Sequence, residues 1–245
     1  NGSSKTRLLG FYGDFTVGFK SIFSVNLTLR NDVSSTFKPD RSSYLYNGVG
    51  GSVNITELFP QLKNKVIDNI KVRGNIATVG KAGGDFVYST DSYFAGAASA
   101  DGFGPSIAFP FNGIQGFTLS NQAGNPELGP EFTKNKEVAL EVSFFKGRFT
   151  AEVTRYKQTS TDLIFGVPNS ATSGITSVVK NAGNLTNRGW ELGMNLIPLR
   201  YKTFEWSINF NYTQFKSIVD KLAPGVTNIF LGGFTTPNIR LVEGD

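Results

Sequence analysis

Five aromatic side chains, Phe86, Tyr88, Tyr93, Phe94 and Phe103, crowd one stretch together with Asp85, Asp91 and Asp101. Aromatic faces stack on sugar rings and peptide side chains, and carboxylates accept their hydroxyl and amide protons. This stretch is therefore the candidate ligand-contacting region. The plainer reading is a loop that packs on its own aromatics or docks a partner subunit. A second set of acids, Glu137, Glu141, Glu152, Glu191 and Glu205, occupies alternate positions of strand-like segments. Such acids either line a solute path or solvate an inner wall, pairing with Arg148 and lysines. Glu127 and Glu131 stand close in sequence, but a glycosidase pair is defined by cleft geometry that two residues of one turn do not supply. Gly80-Lys81-Ala82-Gly83-Gly84 lacks the order of a phosphate loop and a helix after it.

Composition removes most catalytic chemistry. The 245 residues include no His and no Cys. A serine-type triad, thiol catalysis, disulfides and the commonest transition-metal ligands are excluded. Carboxylates, Lys and Tyr would be left to act alone, so no enzyme and no cofactor is expected, and loop aspartates are the only conceivable cation ligands. The formal net charge of +5 comes from scattered Lys and Arg. Nucleic acid would call for a patch, so it is not an expected partner. No run of about 18 apolar residues is present, which leaves no transmembrane helix but does not touch barrel strands. With no signal peptide and no initiating Met, the chain reads as a processed or excised piece.

What must position these residues is a series of strands. Residues 124–164 give the clearest case. Val138, Leu140, Val142 and Phe144 alternate with Glu137, Ala139, Glu141 and Ser143. Lys146-Gly147 reverses the chain, and Phe149, Ala151 and Val153 return against Arg148, Thr150, Glu152 and Thr154. A period of two places one set on each face of a sheet. Similar alternation marks 6–19, 22–30, 70–79, 185–199 and 204–215, and a weaker strand at 44–55 carries glycines at 48, 50 and 51 that imply bends or a bulge. Residues 56–69 hold a helical turn before or after Pro60. A short strand is expected near 113–119, and the residues after 216 read as loop with the start of another strand.

The connections differ in length. Reversals at 18–21, 146–147 and 200–203 are short, whereas 31–43, 80–130, 166–184 and 217–238 are long. Alternating short and long connections between antiparallel strands of ten or so residues is the pattern of an outer-membrane barrel, with short turns on the periplasmic side and long loops outside. Phe11, Phe19, Phe204 and Tyr212 at strand ends suit interfacial girdles. A sandwich would show shorter strands and less ordered loop lengths. The fold class expected is all-β, an antiparallel transmembrane β-barrel segment. The alternative is a soluble β-rich carbohydrate-binding or adhesin module using the same aromatic loop.

Four motifs, in order, give this pattern a family. Residues 7–37, RLLGFYGDFTVGFKSIFSVNLTLRNDVSSTF, resemble a barrel hairpin of the SusC/RagA family of TonB-dependent outer-membrane transporters, with R-N-D-x-S-S-T at 30–36. KVRGNIATVGKAG (71–83) resembles the family's V-G strand end. The stretch from 124 resembles its G-N-P-x-L-x-P-E-x-T-x-x-x-E hairpin, and 178–196 resemble its N-x-G-x-x-x-N-x-G-x-E strand, with Trp190 in an aliphatic position. The resemblance implies about eight or nine strands of a 22-stranded barrel. It further implies a plug outside this segment, a SusD-type surface lipoprotein, TonB acting through the plug, and import of a glycan or peptide across outer-membrane lipid. Residues 1–245 would form one part of a single barrel domain, an interior-to-late slice without plug or terminal strands.

Overall fold

The computed structural model describes residues 5–82, 87–99, 107–233 and 236–245. The chain opens as β1 (Leu8–Phe19), β2 (Phe23–Ser34) and β3 (Ser43–Asn54). A helical turn α1 (Ile55–Leu58) and a 3-10 turn at Pro60–Leu62 follow, then β4 (Ile67–Lys81). A long insertion carries β5 (Phe94–Gly96), β6 (Ala98–Ser99), β7 (Ile107–Ala108), β8 (Phe117–Leu119) and β9 (Gln122–Ala123). The wall resumes with β10 (Glu131–Phe144), β11 (Phe149–Pro168), β12 (Ser177–Arg200) and β13 (Glu205–Leu222). The chain finishes in a hairpin of β14 (Asn228–Gly233) and β15 (Asn238–Val242). The long strands form one antiparallel meander in the order β1-β2-β3-β4-β10-β11-β12-β13, and β9 runs parallel beside β12.

The two faces of this wall are inverted relative to a soluble sheet. Phe15 (65% exposed), Leu27 (50%), Ile76 (46%), Leu140 (43%) and Phe210 (49%) project from one face. The polar residues between them on β2 and β10 are the more sheltered ones. A sheet that shelters its polar side curls with that side inward and offers its apolar side to hydrocarbon. Buried apolar clusters lie instead at the end away from the short turns. One joins Phe37, Tyr44, Leu128, Ile164 and Val179, and the other Val219, Leu222 and Ile229.

The short reversals are tight and partly strained. Lys20 and Ser21 have φ of 48° and 57°. Phe145, Lys146 and Gly147 follow one another at 57°, 59° and 74°, so the reversal spans 145–148 rather than two residues. The Gly147 N–H donates to Asp68 Oδ2 at 3.0 Å, and the Phe145 N–H to the Val66 carbonyl at 2.8 Å. The connection after β3 therefore ends beside this turn, on the short-turn side. Aromatics gather there: Phe19 stacks on Phe23 at 5.5 Å and Phe144 on Phe149 at 6.0 Å.

Several strands run further than alternation indicates. Residues 166–184, expected as loop, are mostly strand, because β11 reaches Pro168 and β12 starts at Ser177. Register shifts between Ser160 and Ile164, with Asp162 at φ 58°, break the period of two and hide this extension. β2 likewise runs to Ser34 and β13 to Leu222, shortening the loops read at 31–43 and 217–238. The expected bulge at the glycines of β3 is absent: β2 and β3 pair from Phe23–Val53 to Val33–Ser43 without a shift. The strand expected near 113–119 is β8.

An Arg at Ile208, on the apolar face, is expected to destabilise the folded protein in vesicles by about 2–4 kcal/mol near the bilayer midplane. At Ser207, on the polar face, the same change is expected to be nearly neutral. Urea titration of the full-length protein in lipid checks both, and equal effects would refute the face assignment.

Candidate functional site in the inner wall and outer mouth

Arg73 of β4 organises the inner wall. Its Nη1 lies 2.7 Å from Glu137, its Nε 2.9 Å from Glu141, and its Nη2 bonds Glu152. Cross-strand register explains the convergence. Ala139 faces Arg73 across β10 and β4, and Glu141 stands directly opposite Glu152 across β10 and β11. Two carboxylates facing each other on adjacent strands repel. A guanidinium with several donors in one plane can bridge them, which a lysine cannot do as well. Lys71 adds a second cation 3.7 Å from Glu141. Glu137, Glu141 and Glu152 are thus held by Arg73 and Lys71, not by Arg148, whereas Glu205 pairs with Arg200 at 2.7 Å and Glu191 faces the wall's hollow.

Two hollows flank this cluster on the sheltered face. The one toward the short turns, about 390 Å³, is lined by Asn69, Glu141, Glu152, Asn195, Asn209 and Asn211. The other, about 670 Å³, is lined by Lys81, Glu137, Tyr156, Gln158, Asn187 and Glu191. Asn187 Oδ1 is buried there without a partner among the described residues. The surface is one of amides, hydroxyls and carboxylates, which suits a hydrated polar solute.

At the other end the motif residues form joints between wall and loops. Arg30 Nε bonds Asp32 at 2.8 Å, and Tyr46 Oη donates to the same buried carboxylate at 2.6 Å. Asn181 accepts from the Gly129 N–H at 3.0 Å and donates to the Gly129 and Asp162 carbonyls at 2.9 and 2.7 Å. That side chain fastens the 124–131 motif to the 181–191 motif. Glu131 accepts from the Ile164 N–H at 2.9 Å, while the Glu127 backbone carbonyl takes Arg41 at 2.9 Å. The two acids serve different contacts and do not share a cleft. Gly124 sits so close to Asp91 that a Cβ would meet its backbone at 2.2 Å. At Gly189 a Cβ would meet the Gln214 carbonyl at 2.5 Å.

The candidate aromatics are only partly brought together. Phe86 and Phe103, with Asp85 and Asp101, lie outside the described residues. Tyr88 Oη accepts from the Lys5 N–H at 3.1 Å and so ties the insertion to the chain ahead of β1. Tyr93 and Phe94 are exposed at 55% and 71%. In β5–β8, Phe94 opposes Leu119 and Gly96 opposes Phe117, which places Phe117 and Leu119 on the Phe94 face. Exposed Phe111 and Phe117 are therefore further candidates, and the spacing of Phe117 and Leu119 was the available signal. Asp91 takes Lys38 Nζ at 2.7 and 2.8 Å. The Lys38 hydrogen bond, with that of Thr90, holds its carboxyl below the usual 3.8.

A family model described as TonB dependent receptor-like, beta-barrel matches residues 1–240. The chain belongs to the TonB-dependent receptor β-barrel family. It is 28% identical over 239 residues to TonB-dependent receptor P39 of Formosa agariphila, covering 97% of this chain and 21% of that protein. Receptor P26 of the same organism is 29% identical over 204 residues, 82% of this chain and 19% of that one. The chain thus spans about a fifth of these relatives. Among solved structures, the RagAB peptide transporter superposes with a TM-score of 0.81 at 23% identity, covering 98% of this chain and 25% of that one. The siderophore receptor PirA of Pseudomonas aeruginosa gives 0.52 at 18%, covering 89% and 37%. Family and fold agree with the SusC/RagA-type barrel segment and place this wall in the bacterial outer membrane, with its exposed apolar face toward lipid.

Arg73→Met is expected to destabilise the full-length receptor by roughly 1.5–3 kcal/mol for each charged hydrogen bond not replaced by water. Glu141→Gln is expected to restore part of that loss in a double-mutant cycle followed by urea unfolding, whereas additive effects would show that Arg73 does not couple to Glu141.

Because the Asp91 carboxyl is held below 3.8, the Lys38–Asp91 clip is fully present above that value and fails only as pH falls through the lowered one. Spin labels at Asp40 and Ser92 are expected to keep one distance from neutral pH down to about pH 4 and to spread only as pH falls below 3.8. Asp91→Asn is expected to spread the distance at every pH, and a change between neutrality and about pH 5 would contradict the assignment.

Proposed function

We propose that this chain is a length of barrel wall from a TonB-dependent transporter that imports an oligosaccharide or peptide. In this reading residues 1–245 are part of one barrel domain, and the plug and remaining strands belong to other parts of the polypeptide. A SusD-like lipoprotein sits over the outer mouth, and TonB acts through the plug. The observation that carries the reading is the two-sided wall, apolar outside and polar inside, with Arg73 and its three glutamates on the solute side. β1 and β13 each have a single hydrogen-bonded neighbour in the meander. Backbone groups at membrane depth need partners, so these edges are where further strands would pair. The fold shared with the RagAB peptide transporter supports a peptide-sized cargo.

The insertion supplies the recognition surface in this proposal. Tyr93 and Phe94, together with Phe86 and Phe103, contact the cargo at the mouth, and Tyr88 offers only its ring, since its hydroxyl takes the Lys5 N–H. A soluble carbohydrate-binding module would have to cover the exposed apolar face of all eight wall strands, and nothing in the chain does so among the described residues.

Tyr93→Ala combined with Phe94→Ala, in the full-length protein in cells, is expected to raise the half-saturating cargo concentration roughly tenfold and leave the maximal uptake rate nearly unchanged, as loss of uniform binding does. Loss of TonB is expected to abolish uptake of whichever probe, peptide or oligosaccharide, the receptor takes up. Uptake indifferent to the aromatic pair would refute the mouth assignment, and uptake indifferent to TonB would refute the transport reading.

A further inference from the structure

The outer face carries a row of cations that nothing in the wall neutralises. Lys136 of β10 stands opposite Lys157 of β11, Lys157 opposite Arg188 of β12, and Arg188 opposite Lys216 of β13. Alternation puts all four on the face of Leu140, Val153, Leu192 and Tyr212, because no register shift falls between them and those residues. Each is exposed, and none makes a hydrogen bond or ion pair within the described residues. Like charges directly opposite on neighbouring strands are destabilising. Glu137 and Glu191 alternate onto the opposite face, and Asp220, beyond the row on β13, accepts from Thr186 Oγ1 at 2.6 Å.

The height of the row identifies what it meets. The same line of register begins on β1 and β2 with Phe15 opposite Leu27. Those two lie only four residues from the strand ends at Phe19 and Phe23, deep in the apolar band. Strands tilt in a barrel, so a line perpendicular to them climbs through the membrane. Lys136 and Lys157 stand eight residues from Phe144 and Phe149, and Lys216 stands eleven from Glu205. At roughly 3.3 Å per residue and a tilt near 40°, eight residues correspond to about 20 Å, close to the far rim of the apolar band. Just below the row, Arg155 lies 4.8 Å over the Trp190 ring, an aromatic at the depth where tryptophans mark the interface. The cations thus begin where hydrocarbon gives way to headgroups on the outer leaflet.

A cleft opens at this level. It measures about 320 Å³ and is lined by Lys134, Lys136, Lys157, Thr78, Thr159 and Thr161, with Phe132 at its side. Ammonium groups and hydroxyl donors around a volume of that size match a phosphate group carried on a headgroup, while the apolar band below matches acyl chains. We propose that the outer face of β10–β13 is a binding site for a phosphorylated outer-leaflet lipid. The phosphate sits among Lys134, Lys136 and Lys157, and Arg188 and Lys216 continue the contact along the rim. The site rests on the membrane placement of the wall and is independent of what the barrel imports.

The test uses the full-length receptor, purified in detergent and examined by native mass spectrometry. The probes are phosphorylated lipid A, the same lipid after phosphatase treatment, and inorganic phosphate as competitor. Wild-type protein is expected to retain the phosphorylated lipid through washing and to lose the dephosphorylated one. Lys136→Gln, Lys157→Gln and Arg188→Gln together are expected to weaken retention roughly a hundredfold, about fivefold per cation near an anionic lipid surface. Barrel integrity is read from heat-modifiable migration on a gel. Should the triple variant not assemble, Lys157→Gln alone is expected to show the fivefold step. Lys20→Gln with Lys63→Gln, at the short-turn end, is expected to leave retention unchanged. Equal retention by wild type and the Lys157 variants, or no preference for the phosphorylated lipid, would overturn the site. Displacement by millimolar inorganic phosphate would overturn its assignment to a lipid.

Discussion

A peptide group in hydrocarbon has no water to bond, so every N–H and C=O at membrane depth must find a partner within the protein. The meander follows from that requirement. Strands of 12 to 24 residues pair with their neighbours in the wall, most of them over nearly their whole length, and β3 with β4 from Gly48–Ala77 to Asn54–Lys71. Register shifts fall at the short-turn end, between Ser143 and Phe144 and between Leu196 and Leu199, and in the half of β11 and β12 away from the short turns, between Ser160 and Ile164 and between Asn184 and Leu185. The turns that permit such continuous pairing accept left-handed backbone at Lys20, Ser21, Phe145 and Lys146, a conformation that costs of order 1 kcal/mol per residue for non-glycines. Gathered aromatics on the same rim, Phe19 with Phe23 and Phe144 with Phe149, help to offset that cost by packing.

Continuous pairing then dictates where charge can go. With a period of two, a residue's parity decides lipid or lumen, and register decides which residues meet. Glu141 and Glu152 meet on the lumen side, where Arg73 bridges them within reach of water. On the lipid side the opposed cations occur only beyond the apolar band, and the apolar positions below them hold Leu140, Val153, Leu192 and Tyr212. The two charged groups show the same rule from opposite sides. Like charges are tolerated across strands when a counter-charge is supplied, by a side chain inside and by the medium outside.

Strands and faces were legible wherever one side had to be apolar. The alternation in 138–144, 149–153 and 204–213 exists because lipid demands it, and the structure places those residues as read. Legibility ends where the wall rises out of the membrane. There β11 and β12 continue as Ile164 to Pro168 and Ser177 to Asn181, paired but free of the alternation that hydrocarbon imposes. The glycines of β3 misled for a related reason. Gly48 lies 3.1 Å from the Ala77 side chain by its would-be Cβ, so close strand approach, not bending, explains it. Arg73 escaped notice because its three partners are 64, 68 and 79 residues away, and only the register of β4 on β10 brings them together. Among the aromatics, spacing could not show that the Tyr88 hydroxyl takes the Lys5 N–H, while Tyr93 and Phe94 stand exposed.

That division bears on how the mouth works. The insertion between β4 and β10 is fastened at its base from several directions. Tyr88 meets Lys5, Asp91 meets Lys38, the Asn125 N–H donates to the Ser89 carbonyl at 2.8 Å, and β9 pairs with β12. Lys5, Lys38 and β12 belong to different segments of the wall or its loops, while the Asn125–Ser89 bond closes the insertion on itself, so the base moves only if several segments move together. The β5–β8 pair beyond it presents Phe94, Phe117 and Leu119 with no comparable contact from the wall strands among the described residues. In the proposed reading, an exposed aromatic tip on a fastened base would let cargo be gripped while the register of the membrane wall stays untouched. Polar side chains and the short β9–β12 pairing carry the joint at that base, apart from the long strands that cross the membrane.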